Sequence, residues 1–286
     1  MSQTQANRSP DAVALRVRVG IGGWNFEPWR DNFYPDGLPQ HLELAYASRH
    51  VTAIEINSTY YGMQKPATFA KWRDATPGGF MFSLKASRYA TNRRVLAEAG
   101  DSIARFVDSG IAELGEKLGP IVWQFAPTKR FDADDFEAFL SLLPKKIDSL
   151  PLRHVVDVRH ESFMTPAFLA LARRYRVGAA FTDSGDYPSF ADPTADFIYA
   201  RLMRSEASVA TGYAAAALQA LHKDAILWAQ GGQPAHLPLI EKTSTQREGG
   251  RDVFLFFING AKEKAPAAAQ ALLQLLGFPP LAWPPG

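Results

Sequence analysis

Five short apolar runs carry polar side chains at every second position. Ile54 and Ile56 alternate with Glu55 and Asn57, Phe82 and Leu84 with Ser83 and Lys85, and Val156 and Val158 with Asp157 and Arg159. Trp123 and Phe125 alternate with Gln124, and Ile198, Ala200 and Leu202 with Tyr199 and Arg201. Asp183 and Asn259 close two further apolar runs. In an extended chain residues two apart share a face, so each run presents one apolar and one polar side. Glu55 or Asp157 beside Lys85 or Arg159 is a set for acid–base chemistry, with a cation holding developing negative charge. Arg159 and Arg201, with Asn57, Gln124 and Asn259, make forks and amides for a phosphate or carboxylate. Lys85 could also condense with a carbonyl if neighbouring cations lowered its pKa, although pairing with Glu55 or Asp157 is the stronger expectation.

Aromatic residues collect near the same segments. Trp24, Trp29, Tyr34, Tyr60 and Tyr61 fall at the ends of, or in the loops after, the extended runs 17–24 and 53–59. An aromatic wall beside cations suits a sugar phosphate, a nucleotide or a single strand of nucleic acid. For Trp29 and Phe33, packing within the loop is an equal alternative. Of six histidines only His160 falls at the C-terminal end of a run; His154 begins that run, and His41, His50, His222 and His236 fall on helical or loop segments. That is too few for a multi-zinc phosphodiesterase centre of the endonuclease IV type. Glu55, Asp157 and Asp183 could hold one magnesium ion, but Lys85, Arg159 and Arg201 oppose it. No metal site and no cofactor are expected.

These side chains need a scaffold that points them at one place. Eight extended runs are predicted, at 17–24, 53–59, 81–87, 121–127, 154–160, 177–183, 196–203 and 253–259. Helical patterns lie between most of them, at 40–49, 66–76, 101–118, 133–143, 165–175 and 213–229. Asp101-Ser102 and Asp132 stand where helix N-caps should, and Thr165-Pro166 reads as a cap followed by proline in the first turn. Strand and helix alternating in this way predict one TIM-like (β/α)8 barrel over residues 16–278. Only residues 184–195, with Pro188 and Pro193, separate the sixth and seventh runs, too few for a crossover helix, so an irregular connection is expected there. A loose N-terminal tail is expected over 1–15, a surface loop over 231–250 and a proline-rich tail over 279–286. Gly20-Ile-Gly-Gly23 lacks the spacing of a phosphate-binding loop and reads as a tight strand interior.

In such a barrel the face beneath the helices is apolar, so the polar face lines the interior. Most of its charged positions lie in the C-terminal half of their strands, the end where barrel enzymes carry their chemistry. The alternative is a self-neutralised network in which Lys85, Arg159 and Arg201 face Glu55, Asp157 and Asp183. Composition sets outer limits. The 286 residues carry 31 Lys and Arg against 29 Asp and Glu, so no global charge draws the chain to nucleic acid or an anionic membrane. There is no cysteine, which removes disulfides, thiolate-held metals and thiol nucleophiles. No apolar run reaches the ~20 residues of a membrane span, and the first fifteen residues show no secretory signal. A cytoplasmic setting is the expectation; the oligomeric state is not legible.

The same segments carry a resemblance. Gly23-Trp24, Trp29-Arg30, Phe33-Tyr34-Pro35, Glu55 to Tyr61, Phe69, Lys71-Trp72, Phe82 to Ala86, Leu118 to Ile121, Gln124 to Pro127, Asp157 to His160 and Asp196 to Leu202 resemble the DUF72, or YecE-like, family of TIM-barrel proteins. The resemblance runs from about Val17 to Leu276 and implies the barrel, not an activity. Against the family pattern, Asp157 stands for a glutamate, Met203-Arg204 for a histidine and glycine, and Asn259 is followed by Gly260 rather than a second asparagine. The expected function is an enzyme binding a small anionic, phosphorylated or sugar-like substrate at the C-terminal rim. Glu55, Lys85, Asp157, His160 and Asp183 are its catalytic candidates. Trp24, Tyr34, Asn57, Tyr60, Gln124, Arg159, Arg201 and Asn259 are its substrate-binding candidates. The alternatives are a non-catalytic nucleotide or single-strand binder and a metal-dependent phosphodiesterase.

Overall fold

The computed structural model describes residues 10–242 and 246–284. Eight parallel strands close into a barrel: β1 (Val17–Ile21), β2 (Ala53–Ile56), β3 (Met81–Lys85), β4 (Leu118–Gln124), β5 (His154–Asp157), β6 (Gly178–Thr182), β7 (Phe197–Leu202) and β8 (Asp252–Phe257). Each strand pairs with its neighbours in sequence, and β8 pairs with β1 in the register Val17 to Val253. The crossovers carry Glu43–His50, Pro66–Asp74, Gly100–Val107, Ala133–Leu142, Pro166–Tyr175 and Ala215–Ala229, with Ala265–Leu275 after β8. Between β6 and β7 the chain has no helix, as its length and prolines predict. Among the described residues no helix is long and apolar enough to cross a membrane.

Local chemistry sets the helix ends. Asp132 caps its helix by accepting from Asp135 N–H at 3.0 Å, and Thr165 caps the next by accepting from Phe168 N–H at 3.3 Å ahead of Pro166. The helix expected over 101–118 stops at Val107, with Ala99 rather than Asp101-Ser102 as its N-cap. Gly110 takes φ 106°, and a Cβ there would lie 2.7 Å from Pro66, so only glycine lets the chain turn against the preceding crossover. A 3-10 segment, Ile111–Lys117, then leads into β4, which begins three residues earlier than expected. Its Pro120 has no N–H to give the ladder, and the β3–β4 register shifts between Phe82 and Leu84 beside it. Part of the expected N-terminal tail is ordered: Pro10–Ala14 is helical and Val13 is buried. Residues 279–284 of the expected C-terminal tail are irregular and pinned where Leu281 N–H donates to Arg49 O at 2.8 Å; 285–286 lie outside the described residues.

Two apolar layers hold the barrel. The outer one lies between strands and helices and is rich in aromatics, with Phe125, Phe136, Phe139 and Phe163 fully buried. In it His154 is sandwiched: Trp123 Nε1–H donates to its Nδ1 at 3.1 Å, so its own proton sits on Nε2 and goes to Pro144 O at 2.7 Å. Burial pushes the His154 pKa down to about 4. The inner layer fills the lower barrel with Ala53, Val122, Val155, Ala180, Phe197, Tyr199, Phe254 and Phe256. Arg153 spans the rings of Phe197 and Phe254 and pairs with Asp252 at 2.8 Å. On β1 the inward position is Gly20, where a Cβ would lie 2.2 Å from Ala53 O. Only backbone fits there, which agrees with the tight-strand reading of the glycine run.

Candidate active site at the C-terminal mouth of the barrel

On five of the eight strands, moving two residues up changes the inner face to charged or amide side chains. Ala53 gives way to Glu55, Ser83 to Lys85, Val122 to Gln124, Val155 to Asp157 and Tyr199 to Arg201. Parallel pairing sets Gln124 beside Asp157 and Glu55 beside Ser83. Arg159 follows β5 on the same side as Asp157.

Arg201 is the hub. Its Nε and Nη2 donate to the two oxygens of Glu55 at 3.0 and 2.9 Å, and its Nη1 donates to Asp157 Oδ2 at 2.7 Å and Gln124 Oε1 at 3.2 Å. Burial alone would lower its pKa, but Glu55 and Asp157 outweigh that and hold it above the ordinary value. Glu55 also accepts from Tyr199 Oη–H at 2.7 Å, and Ser83 Oγ lies 2.7 Å from that hydroxyl. Both Glu55 oxygens are engaged and the side chain is fully buried. Glu55 therefore positions Arg201 rather than facing a ligand.

Arg159 continues the network outward. Its Nε and Nη2 donate to Asp157 Oδ2 at 3.3 and 3.1 Å, and Nη2 donates to Gln124 Oε1 at 2.9 Å. Its guanidinium stands 4.3 Å from the ring centre of Tyr187, and its Nη1 makes no bond within the described protein. Every guanidinium bond to Asp157 goes to Oδ2, which leaves Oδ1 without a donor.

Lys85 is buried but has no carboxylate within ion-pairing distance among the described residues, which overturns the expected pairing with Glu55 or Asp157. Its Nζ instead stands 4.1 Å from the ring centre of Tyr60. Burial pushes its pKa down to about 8; Arg201 and Arg159 push the same way, and Glu55 and Asp157 only partly oppose them. Asn57 lies at the same mouth, half-buried, with its Nδ2 3.3 Å from where a Cβ on Gly22 would stand.

Other expected members lie elsewhere. Asp183 is one residue past the inward-facing Thr182 and so points outward. It accepts from Met203 N–H at 2.6 Å and Tyr213 Oη–H at 2.8 Å, and burial raises its pKa. Asn259 fails by the same parity: Phe254, Phe256 and Ile258 line the interior, and Asn259 is exposed on the other side. His160 caps the short helix Glu161–Phe163, its Nδ1 accepting from Ser162 N–H at 3.1 Å. It makes no hydrogen bond or ion pair with the network among the described residues. Tyr34 is buried against Phe33 and Tyr46 and donates its hydroxyl to Trp24 O. Trp24 is half-buried, edge-on to Trp72 at 5.3 Å, and Trp29 and Phe33 are packed into the loop core.

Three participants escaped the sequence reading. Ser83 and Tyr199 lay on the polar side of the alternation and were legible there. Tyr187 sits in the helix-free β6–β7 connection, where no periodicity marks it. Among the described residues no three His, Asp or Glu side chains converge as a metal requires, so a metal-dependent phosphodiesterase finds no donor set here.

Solved structures with this fold include a DUF72 family protein from Thermotoga maritima, 20% identical with a TM-score of 0.68, covering 91% of this chain and 99% of that one. Another DUF72 family protein, from Enterococcus faecalis, is 17% identical with a TM-score of 0.66 over 93% of this chain and 96% of that one. At these identities they speak to the fold alone. In sequence the chain is 25% identical over 158 residues to the UPF0759 protein YunF of Bacillus subtilis, covering 53% of this chain and 54% of YunF. It is 26% identical over 149 residues to the UPF0759 protein YecE of Escherichia coli K12, covering 51% of this chain and 50% of YecE. The chain thus spans about half the length of the relatives it matches. The family described as "Protein of unknown function DUF72" matches residues 18–284, and the chain belongs to it.

Proposed function

We propose that the protein is an enzyme that binds a small anionic substrate, phosphorylated or sugar-like, at the C-terminal mouth of the barrel. One observation carries the reading. With Asp183 turned outward, three cations (Lys85, Arg159 and Arg201) face only two carboxylates, Glu55 and Asp157, so the site is not self-neutralised. The groups left for a ligand are mainly donors: Lys85 Nζ, Arg159 Nη1 and the Gln124 amide nitrogen. Asp157 Oδ1 is the carboxylate oxygen left to accept a proton. Tyr60 and Tyr187 stack on the two outer cations and flank the opening. Arg201 and Glu55 hold this arrangement from beneath.

A melting experiment with inorganic phosphate, glycerol 3-phosphate, nucleoside monophosphates and a short single-stranded oligonucleotide tests the reading. A ligand at 100 times its Kd adds about 2.7 kcal/mol of stability. A small anion is expected to raise the midpoint of the wild type and not of Arg159→Ala. If no anion moves the wild type, the reading fails.

A second reading, single-strand binding, has one observation of its own. Tyr61 and Tyr89 are 64% and 62% exposed, and Arg88 lies 5.9 and 5.5 Å from their ring centres. Exposed rings beside a cation stack bases without reading sequence. Oligonucleotide affinity falling steeply with salt, and lost in Tyr61→Ala/Tyr89→Ala, would favour this reading over the first.

A further inference from the structure

We propose that Lys85 is a nucleophilic amine that forms an imine with an aldehyde or ketone bearing an anionic group. The inference rests on the anion site above and names its substrate class. Two arginines already serve the carboxylates, and Arg159 keeps a free edge for the ligand's charge. Lys85 is the one cation of the cluster with no carboxylate and no amide oxygen bonded to it among the described residues. An anchoring lysine would be held by such acceptors; this one is held only by the face of Tyr60. That face supports a positive charge equally on an ammonium or on the iminium that replaces it.

The groups facing Lys85 are Tyr60 and Glu55 from β2 and the turn after it, Asp157 and Arg159 from β5 and its end, and Arg201 from β7. Their balance, with burial, holds Nζ near pKa 8, so about a tenth of it is neutral at pH 7. The steps balance. The ammonium gives one proton to solvent. The freed lone pair forms the C–N bond to the carbonyl carbon. The carbonyl oxygen leaves as water with the two amine hydrogens, C=N replaces C=O, and a proton from solvent returns to the imine nitrogen. No oxidant or reductant is consumed.

Reductive trapping tests this directly. Glyoxylate joins an aldehyde to a carboxylate in one small molecule. The full chain is incubated with glyoxylate and cyanoborohydride near neutral pH and mapped by peptide mass spectrometry. Lys85 is expected to gain a carboxymethyl group about ten-fold or more faster than the exposed Lys145 and Lys146. Its labelling should rise with a midpoint near pH 8, and inorganic phosphate should suppress it. Lys85→Arg should lose the fast site. Labelling of Lys85 no faster than of Lys145 overturns the proposal. If phosphate still stabilises the protein in that case, the anion site stands and the imine alone falls; if it does not, both fall.

Discussion

The lower and upper halves of the barrel interior are built on the same strands, two residues apart, by opposite means. Below, Phe197, Phe254 and Phe256 fill space around Val122 and Val155, and removal of apolar area from water stabilises the layer at about 25 cal/mol per Å². Above, Arg201, Glu55, Asp157, Arg159 and Gln124 satisfy one another through directed bonds. Buried ion pairs rarely improve on a well-packed apolar core, because desolvation costs several kcal/mol per ion. A barrel needing only stability could continue the apolar layer upward. On the proposed function, the contrast sets stability in the lower half against ligand binding in the upper.

The largest expected effect attacks the hub. Arg201→Ala leaves Glu55 buried without its cation and Asp157 with Arg159 alone, and should cost about 3–5 kcal/mol, read by urea unfolding. Phe254→Ala in the lower half should cost a similar 3–5 kcal/mol by leaving a cavity. The two should differ in binding: at a temperature where both stay folded, Phe254→Ala keeps anion binding and Arg201→Ala loses it. Equal binding in both variants would dissolve the contrast.

Outside the barrel wall, His154 supplies an acid limb. Its folded pKa of about 4 lies below the ordinary 6.5, so the unfolded chain takes up the proton first. Stability should be complete above pH 6.5 and fall by up to about 3 kcal/mol as pH drops to 4. His154→Gln should flatten that limb in melting scans.

Lys85→Met sharpens the comparison by changing sign. Lys85 is charged, buried and without a carboxylate partner, so its removal should raise stability by about 1–3 kcal/mol while weakening anion binding. In the wild type the penalty is full below pH 8 and is relieved between pH 8 and 10.5, where the unfolded chain holds a proton that the folded one has released. The variant should lose that rise with pH. Destabilisation instead would return Lys85 to a structural role. The smallest effect is Tyr199→Phe, which removes one bond to Glu55 at the boundary of the halves and should cost about 1 kcal/mol.

Much of this was legible in the sequence because period-two alternation reports which face of a strand a residue occupies. It placed Glu55, Lys85, Gln124, Asp157, Arg159 and Arg201 together before any fold was known. It failed where position at a strand end replaced parity as the criterion. Asp183 and Asn259 are each one residue out of phase, and one residue reverses the face. Tyr34 misled because an aromatic in a loop after a strand packs as readily as it lines a mouth. Pairing within the cluster was beyond sequence, since which carboxylate meets which cation depends on register and reach. That is why Lys85 was expected to be paired and is not.

Gln124 has a consequence for discrimination among ligands. Its amide oxygen is shared by Arg159 and Arg201 at 2.9 and 3.2 Å, and turning the amide over would set its NH2 against two guanidiniums. The group is therefore locked in one sense, and on the proposed function its nitrogen is the end offered to the ligand. A primary amine or a quaternary ammonium would then find a hydrogen turned toward it, whereas a phosphoryl or carboxylate oxygen would find a partner. On that reading one neutral side chain would act as a polarity filter, set by the two guanidiniums behind it and not by any charge of its own.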